Sequence, residues 1–147
     1  MIKIKKVFGF DKDKAVKIAC DVFYCEQDIP KALTAISEEL SPVWWGAFSE
    51  NEIIGTVAAY KENGKQHLGR LTVTKNMRGN GLATALVKTA LKEIFEKDAA
   101  EVFLDAREAT KRIILRLGGK VIGKEYRFFK STCTPVRITK EEFENEQ

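Results

Sequence analysis

The chain has 147 residues, 44% of them hydrophobic and 31% charged, with a formal net charge of +4. That composition supports one domain with a sizeable core, argues against disorder, and contains no apolar run of membrane-spanning length. The basic excess is mild and spread along the chain, so weak attraction to anions is expected and a nucleic-acid interface is not.

The N-terminus, Met1 to Val7, alternates apolar and basic residues and reads as a strand with no signal-peptide core. Over residues 12–25, Ala15, Val16, Ile18, Ala19, Val22 and Phe23 recur at helical intervals, with Asp11 or Asp13 as the N-cap. Pro30 opens a second short helix through Leu33, Ile36 and Leu40, which Ser41-Pro42 stops. Val43–Ser49 and Ile53–Tyr60 form a hairpin around Glu50-Asn51. A second turn at Glu62-Asn63-Gly64 leads to a strand over 66–73.

Residues 81–97 read as a long helix. Leu82, Leu86, Ala90 and Ile94 run beside Ala83, Val87, Leu91 and Phe95, both rows at four-residue steps, a face wide enough to lie on a sheet. Val102–Asp105 is a short buried strand, and a helix follows over about 108–117, ended by Gly118-Gly119. Val121–Lys130 and Pro135–Thr139 close the sheet. The domain is expected over 1–140, with 141–147 an acidic, frayed tail. The order β-α-α-β-β-β-α-β-α-β-β is an α+β, or mixed α/β, architecture with helices on both faces of a mixed sheet.

Cys20, Cys25 and Cys133 have no zinc-ligand spacing, and their odd number argues against a disulfide framework. Reduced thiols in a soluble, cytoplasmic protein are expected, and no metal.

The most informative segment joins the strand ending at Val73 to the long helix through Arg78-Gly79-Asn80-Gly81. Glycine lets the main chain approach a ligand, and the first N–H groups of a helix have no internal partner. With the helix dipole, these make a phosphate site from backbone alone. The loop lacks the Gly-Lys-Ser/Thr of a nucleotide P-loop.

Arg78-Gly79-Asn80-Gly81-Leu82-Ala83 is similar to the Arg/Gln-x-x-Gly-x-Gly/Ala loop of the GNAT superfamily of acyl-CoA N-acyltransferases. The element order resembles that family over essentially the whole chain. Val22-Phe23-Tyr24-Cys25-Glu26-Gln27-Asp28-Ile29-Pro30 and Gly69-Arg70-Leu71-Thr72-Val73 resemble segments of its ElaA-like branch. The resemblance implies a mostly antiparallel sheet of about six or seven strands flanked by about four helices.

The resemblance also implies acetyl-CoA as co-substrate, bound by Arg78, Gly79, Asn80, Gly81, Leu82, Ala83 and Thr84. Its pantetheine arm would lie along Leu71, Thr72 and Val73, with the Val73 N–H toward the oxyanion. The acceptor is a small-molecule or protein amine, and the protein a monomer or homodimer. Two departures stand out: Ile114 occupies the place of the tyrosine usually proposed to protonate the leaving thiolate, and Cys133-Thr134-Pro135-Val136 lacks the branch's terminal histidine. A catalytically degenerate acyl-CoA sensor is the alternative reading.

Transfer from a thioester to an ammonium requires a base, and an acid assists the thiolate. Glu26 is the candidate base; its plainer reading is a solvated carboxylate. Tyr126 is the candidate acid, with Tyr24 behind it; packing is the plainer role of both. His67, the only histidine, and Cys133 are read as surface and packing residues. Arg70, expected to alternate away from Leu71, is a candidate to hold a substrate carboxylate. Adjacent strand residues face opposite sides, so one of Trp44 and Trp45 is expected in the core and the other, with Trp44 the candidate, at the acceptor pocket or an oligomer interface.

Overall fold

The computed structural model describes residues 1–97 and 99–147. Strand β1 (Ile2–Val7) leads into α1 (Gly9–Gln27), the four-residue α2 (Lys31–Thr34) and a 3-10 turn at Glu38–Leu40. The meander β2 (Val43–Ser49), β3 (Glu52–Glu62) and β4 (Lys65–Val73) follows. A 3-10 turn at Lys75–Met77 precedes α3 (Leu82–Phe95), β5 (Glu101–Arg107) and α4 (Glu108–Arg116). Strands β6 (Lys120–Val121), β7 (Tyr126–Phe128) and β8 (Ser131–Thr139) and helix α5 (Lys140–Asn145) complete the chain.

The strands form one eight-stranded sheet in the order β1-β2-β3-β4-β5-β8-β6, with β7 also paired to β8. Every pairing is antiparallel except β4 with β5, which is parallel and rests on the single pair His67–Phe103. The α+β class is as expected, with one strand and one helix more than the sequence suggested.

The sheet is covered on both faces. Helix α1 buries Ala15, Ala19, Phe23 and Gln27, a row at four-residue steps, and packs with Trp44, Phe48, Ile53 and Ala58. Helix α3 buries Leu86, Val87, Ala90 and Leu91 on the other side, beside Trp45, Val57 and Val102. The adjacent tryptophans thus enter opposite cores, Trp44 2% and Trp45 1% exposed. Trp45 Nε1 also donates to Glu93 Oε2 at 2.6 Å. Truncating either ring to alanine would cost about 3–5 kcal/mol.

Four boundaries differ from the sequence reading. Helix α1 starts at Gly9 behind Phe8, with no side-chain cap, and Asp11 falls inside its first turn. The helix expected to run to Leu40 stops at Thr34, because Ala35 is extended; Ser37 then caps the short 3-10 turn. The strand expected over 121–130 is broken into β6 and β7, and β8 starts earlier, at Ser131. The acidic tail is helical: Thr139 Oγ1 accepts from Glu142 N at 3.1 Å, and Thr139 N donates to Glu142 Oε1 at 2.8 Å. That reciprocal capping box starts α5, and Phe143, 5% exposed, packs on Phe95 with ring centroids 5.6 Å apart.

Candidate active site

Beyond His67–Phe103 no further β4–β5 pair forms, and the strands part toward Val73 and Arg107. A bulge in β4 shapes one wall of the gap. The register passes from Thr56–Thr72 to Ala58–Gly69, so Val57 faces two residues, Arg70 and Leu71. Arg70 takes a left-handed φ of 56°. Thr56 Oγ1 donates to Arg70 O at 2.9 Å and lies 2.7 Å from Thr72 Oγ1. Its one hydrogen goes to Arg70 O, so Thr72 donates the second bond. The bulge cancels the expected alternation, and Arg70 and Leu71 line the same cavity.

The loop after β4 has the geometry that its glycines predict. Gly79 and Gly81 have φ of 85° and 77°, and a Cβ on either would meet nothing within 4 Å. Gly81 is the N-cap of α3 with no side-chain cap, and the first bond into the helix is Ala85 N to Gly81 O. Among the described residues, no protein group accepts from the N–H groups of residues 79–84. These donors open onto a cavity of about 360 Å³ lined by Leu71, Thr72, Val73, Arg78, Gly79, Gly81, Leu82, Ala83 and Thr84. Asn80 alone of the predicted loop residues does not line it; its side chain turns back to Met77 O at 3.4 Å. Unpaired donors at a helix N-terminus, with open space above, fit a diphosphate.

Arg78 is pinned at both ends of its guanidinium. Nε donates to Val73 O at 2.8 Å, and Nη2 meets Glu26 Oε2 at 2.8 Å. The Arg78 guanidinium beside Glu26 holds that carboxyl below the usual range, and Glu26 in turn raises Arg78. Next to Glu26, Gln27 Oε1 accepts from Ser131 Oγ at 2.8 Å, and its carbonyl accepts from Lys130 N at 3.3 Å. The end of α1 therefore clips the loop to the start of β8. Val73 lies opposite Gly55 while Thr74 N bonds Ile54 O, so ladder alternation turns the Val73 N–H away from β3, toward the gap.

A second cavity of about 290 Å³ lies beside the first. Gln27, Leu71, Arg107 and Thr110 line both. Its walls are largely apolar, among them Phe23, Ile29, Leu33, Tyr60, Leu68 and Phe128; its polar groups include Arg70, Asp105, Tyr126 and Cys133. Arg70 Nε donates to Thr34 O at 2.7 Å, its Nη2 reaches Leu33 O at 3.4 Å, and it lies over the Tyr60 ring at 5.4 Å. Cys133 on β8 stands opposite Arg107 of β5 on one side and Tyr126 of β7 on the other. Partial burial, then the Asp105 carboxylate, pushes the Tyr126 phenol well above its ordinary value. Burial also raises the Cys133 thiol, leaving it protonated, and draws the Arg107 guanidinium down.

Some predicted residues stand elsewhere. Trp44 lines neither cavity; its burial under α1 leaves it no face toward an acceptor. His67 stacks on Tyr60, centroids 5.3 Å apart, outside both cavities. Ile114 is fully buried against the sheet. The sequence reading missed Gln27, Asp105, Arg107 and Thr110. Asp105 ends the strand read over Val102–Asp105 and Arg107 lies beyond it; on the longer observed strand the two stand at a period of two.

The profile of the acetyltransferase (GNAT) family matches residues 14–122. No curated protein sequence matches. Among solved structures, Escherichia coli ElaA aligns with a TM-score of 0.76 at 15% identity, covering 92% of this chain and 99% of its own. An acyl-CoA N-acyltransferase from Pseudomonas aeruginosa aligns at 0.74 and 17%, covering 93% and 97%. A ribosomal-protein-alanine N-acetyltransferase from Brucella melitensis aligns at 0.72 and 15%, covering 93% and 99%. At these identities the structural likeness establishes the fold.

Proposed function

The chain belongs to the acetyltransferase (GNAT) family of acyltransferases, and from that premise we propose that it transfers an acetyl group from acetyl-CoA to a primary amine by direct attack, in a ternary complex. The observation that carries this reading is the pair of joined cavities. One lies under bare helix-terminal amides, the other is apolar with polar groups at its wall, and they share Gln27, Leu71, Arg107 and Thr110. A cofactor tail and an acceptor held in the two spaces would meet at those residues.

In this reading the backbone of residues 79–84 binds the pyrophosphate. The open edge of β4 offers Leu71, Thr72 and Val73 to the amides of the pantetheine arm, an added strand in effect. The thioester supplies an activated acyl carbon. The Val73 N–H faces the developing oxyanion. Tyr126 holds a proton that partial burial and Asp105 keep on its oxygen, available to the departing sulfur. Glu26, engaged by Arg78, is a poor proton acceptor and braces the loop. Asp105 is the carboxylate that lines the acceptor cavity and takes the ammonium proton, directly or through water. Among the described residues no helix is long and apolar enough to cross a membrane; we place the reaction in the cytoplasm.

Calorimetry with acetyl-CoA, followed by a thiol-release assay over a panel of primary amines, tests the proposal. Micromolar binding and amine-dependent thiol release are expected; absence of binding defeats it. The burial of Ile114 where a catalytic tyrosine is usual motivates a second reading, an acyl-CoA-binding module without turnover. Tight CoA binding with no thiol release across the panel would select it.

A further inference from the structure

The charges around the second cavity are arranged for a particular class of acceptor. Arg70, Arg107 and Asp105 all line it. Among the described residues, none of the three has an ion-pair partner within 4.0 Å. Arg107 is half-buried, with one long hydrogen bond, Nη2 to Leu71 O at 3.4 Å, and its guanidinium lies over Phe23 at 5.6 Å. Arg70 is fixed by carbonyls and keeps both Nη1 hydrogens. Asp105 and Arg107 sit two apart on β5 and so share one face of the sheet.

Asp105 is exposed at the rim beside the Tyr126 hydroxyl, whereas Arg107 is half-buried against Phe23 with no carboxylate partner among the described residues, an arrangement that is unfavourable unless a ligand completes it. Two cations and one anion here face a common space whose other walls are largely aromatic and aliphatic, with Gln27, Thr110, Tyr126 and Cys133 among them. We propose that the acceptor is a small amino carboxylate with an apolar side chain, a free α-amino acid, its carboxylate read by Arg70 and Arg107 and its ammonium by Asp105. The volume supports a free molecule over a peptide: about 290 Å³ is at the small end of ligand cavities, which run from roughly 300 to 1,000 Å³. The guanidinium fork suits a carboxylate. The assignment rests on the acyl-transfer reading for its consequence, N-acylation of the amino acid, but not for binding.

The test is calorimetry of the full-length protein, with and without saturating CoA, against L-phenylalanine, 2-phenylethylamine, 3-phenylpropanoate and a phenylalanyl-glycyl-glycinamide peptide. L-Phenylalanine should bind at least about tenfold more tightly than any of the other three, each of which forgoes a charge-assisted contact or the fit. Arg70→Met and Arg107→Met should each erase the preference over 2-phenylethylamine, and Asp105→Asn the preference over 3-phenylpropanoate. Because the readout is a ratio within each variant, a misfolded protein, which binds nothing, is recognised as such, and the wild-type panel decides alone. Equal or tighter binding of the amine or the peptide, or binding of none of the four, overturns the proposal. Failure of CoA to bind while L-phenylalanine is selected defeats acyl transfer and leaves this assignment standing.

Discussion

Glu26 and Arg78, 52 residues apart in sequence, meet at 2.8 Å, and the same guanidinium donates to Val73 O. The contact ties the end of α1 to the loop that precedes α3. The contact lowers the affinity of the Glu26 carboxyl for a proton, which is why the proposed mechanism does not use Glu26 as the base.

Glu26→Gln should therefore leave kcat within about threefold of wild type, where loss of a general base costs roughly a hundredfold or more. Both side chains are well exposed, so the pair contributes only about 0.2–1 kcal/mol. Its pH dependence has a definite sign. The folded-state pKa is depressed, so the contribution is complete above about pH 4.3, the unfolded value, and disappears as pH falls through the depressed one. Urea titrations between pH 3 and pH 7 should show wild type losing more stability than Glu26→Gln on acidification.

Gly81 separates charge from backbone strain. Its φ of 77° makes any side chain cost about 1–2 kcal/mol, least for Asn and Asp, while the space above it is open. Gly81→Asn and Gly81→Asp should melt at similar temperatures. Only the aspartate should abolish CoA binding in calorimetry, because it places an anion at the proposed diphosphate site. Equal loss in both variants would assign the glycine a purely structural role.

Tyr126→Phe should lower kcat by about tenfold to a hundredfold, with the Kd for CoA unchanged. A thiolate is a fair leaving group, so the loss is partial. The phenol's pKa is raised in the folded protein, so its stabilising contribution is complete below about pH 10 and is lost as pH rises toward the folded value. Alkaline denaturation should consequently be blunted in the phenylalanine variant.

Thr56→Val tests the bulge. Thr56 is fully buried, and its hydroxyl is shared by Arg70 O and Thr72 Oγ1. The substitution leaves both without their partner, a cost of about 1–3 kcal/mol measurable by urea unfolding. Because the bulge aims Arg70 and Leu71 at one cavity, KM for the acceptor should rise as well.

Deleting residues 140–147 should destabilise the domain by several kcal/mol, where removal of a frayed tail would be silent. Phe143 alone fills a core site against Phe95, and Phe143→Ala should cost about 3–5 kcal/mol by thermal or chemical unfolding.

Much of this was legible in the residues. The four-residue rows of α1 and α3 gave their buried faces, and the paired glycines before Leu82 located the helix start whose amides stay unpaired. Aromatic strand residues placed β2 at its observed bounds, Val43–Ser49. What failed were features decided by long-range partners. The α5 capping box spans only Thr139 to Glu142 and was readable, yet its helix depends on Phe95 lying beneath Phe143. The bulge at Arg70 depends on a hydroxyl contributed by β3, and no local rule puts a left-handed arginine inside a strand. The second cavity is assembled from α1, α2, β3, β4, α3, β5, α4, β7 and β8, so Asp105 and Arg107 gain their meaning only when those elements converge.

The lone His67–Phe103 bridge divides the sheet into two leaves, which share one core with α3. An extended guest inserted between the leaves would break no existing ladder; it would complete one. The sheet therefore admits such a guest by gaining hydrogen bonds. Amides along the open edge of β4 should exchange with deuterium quickly for their depth, and slow sharply when the guest is seated.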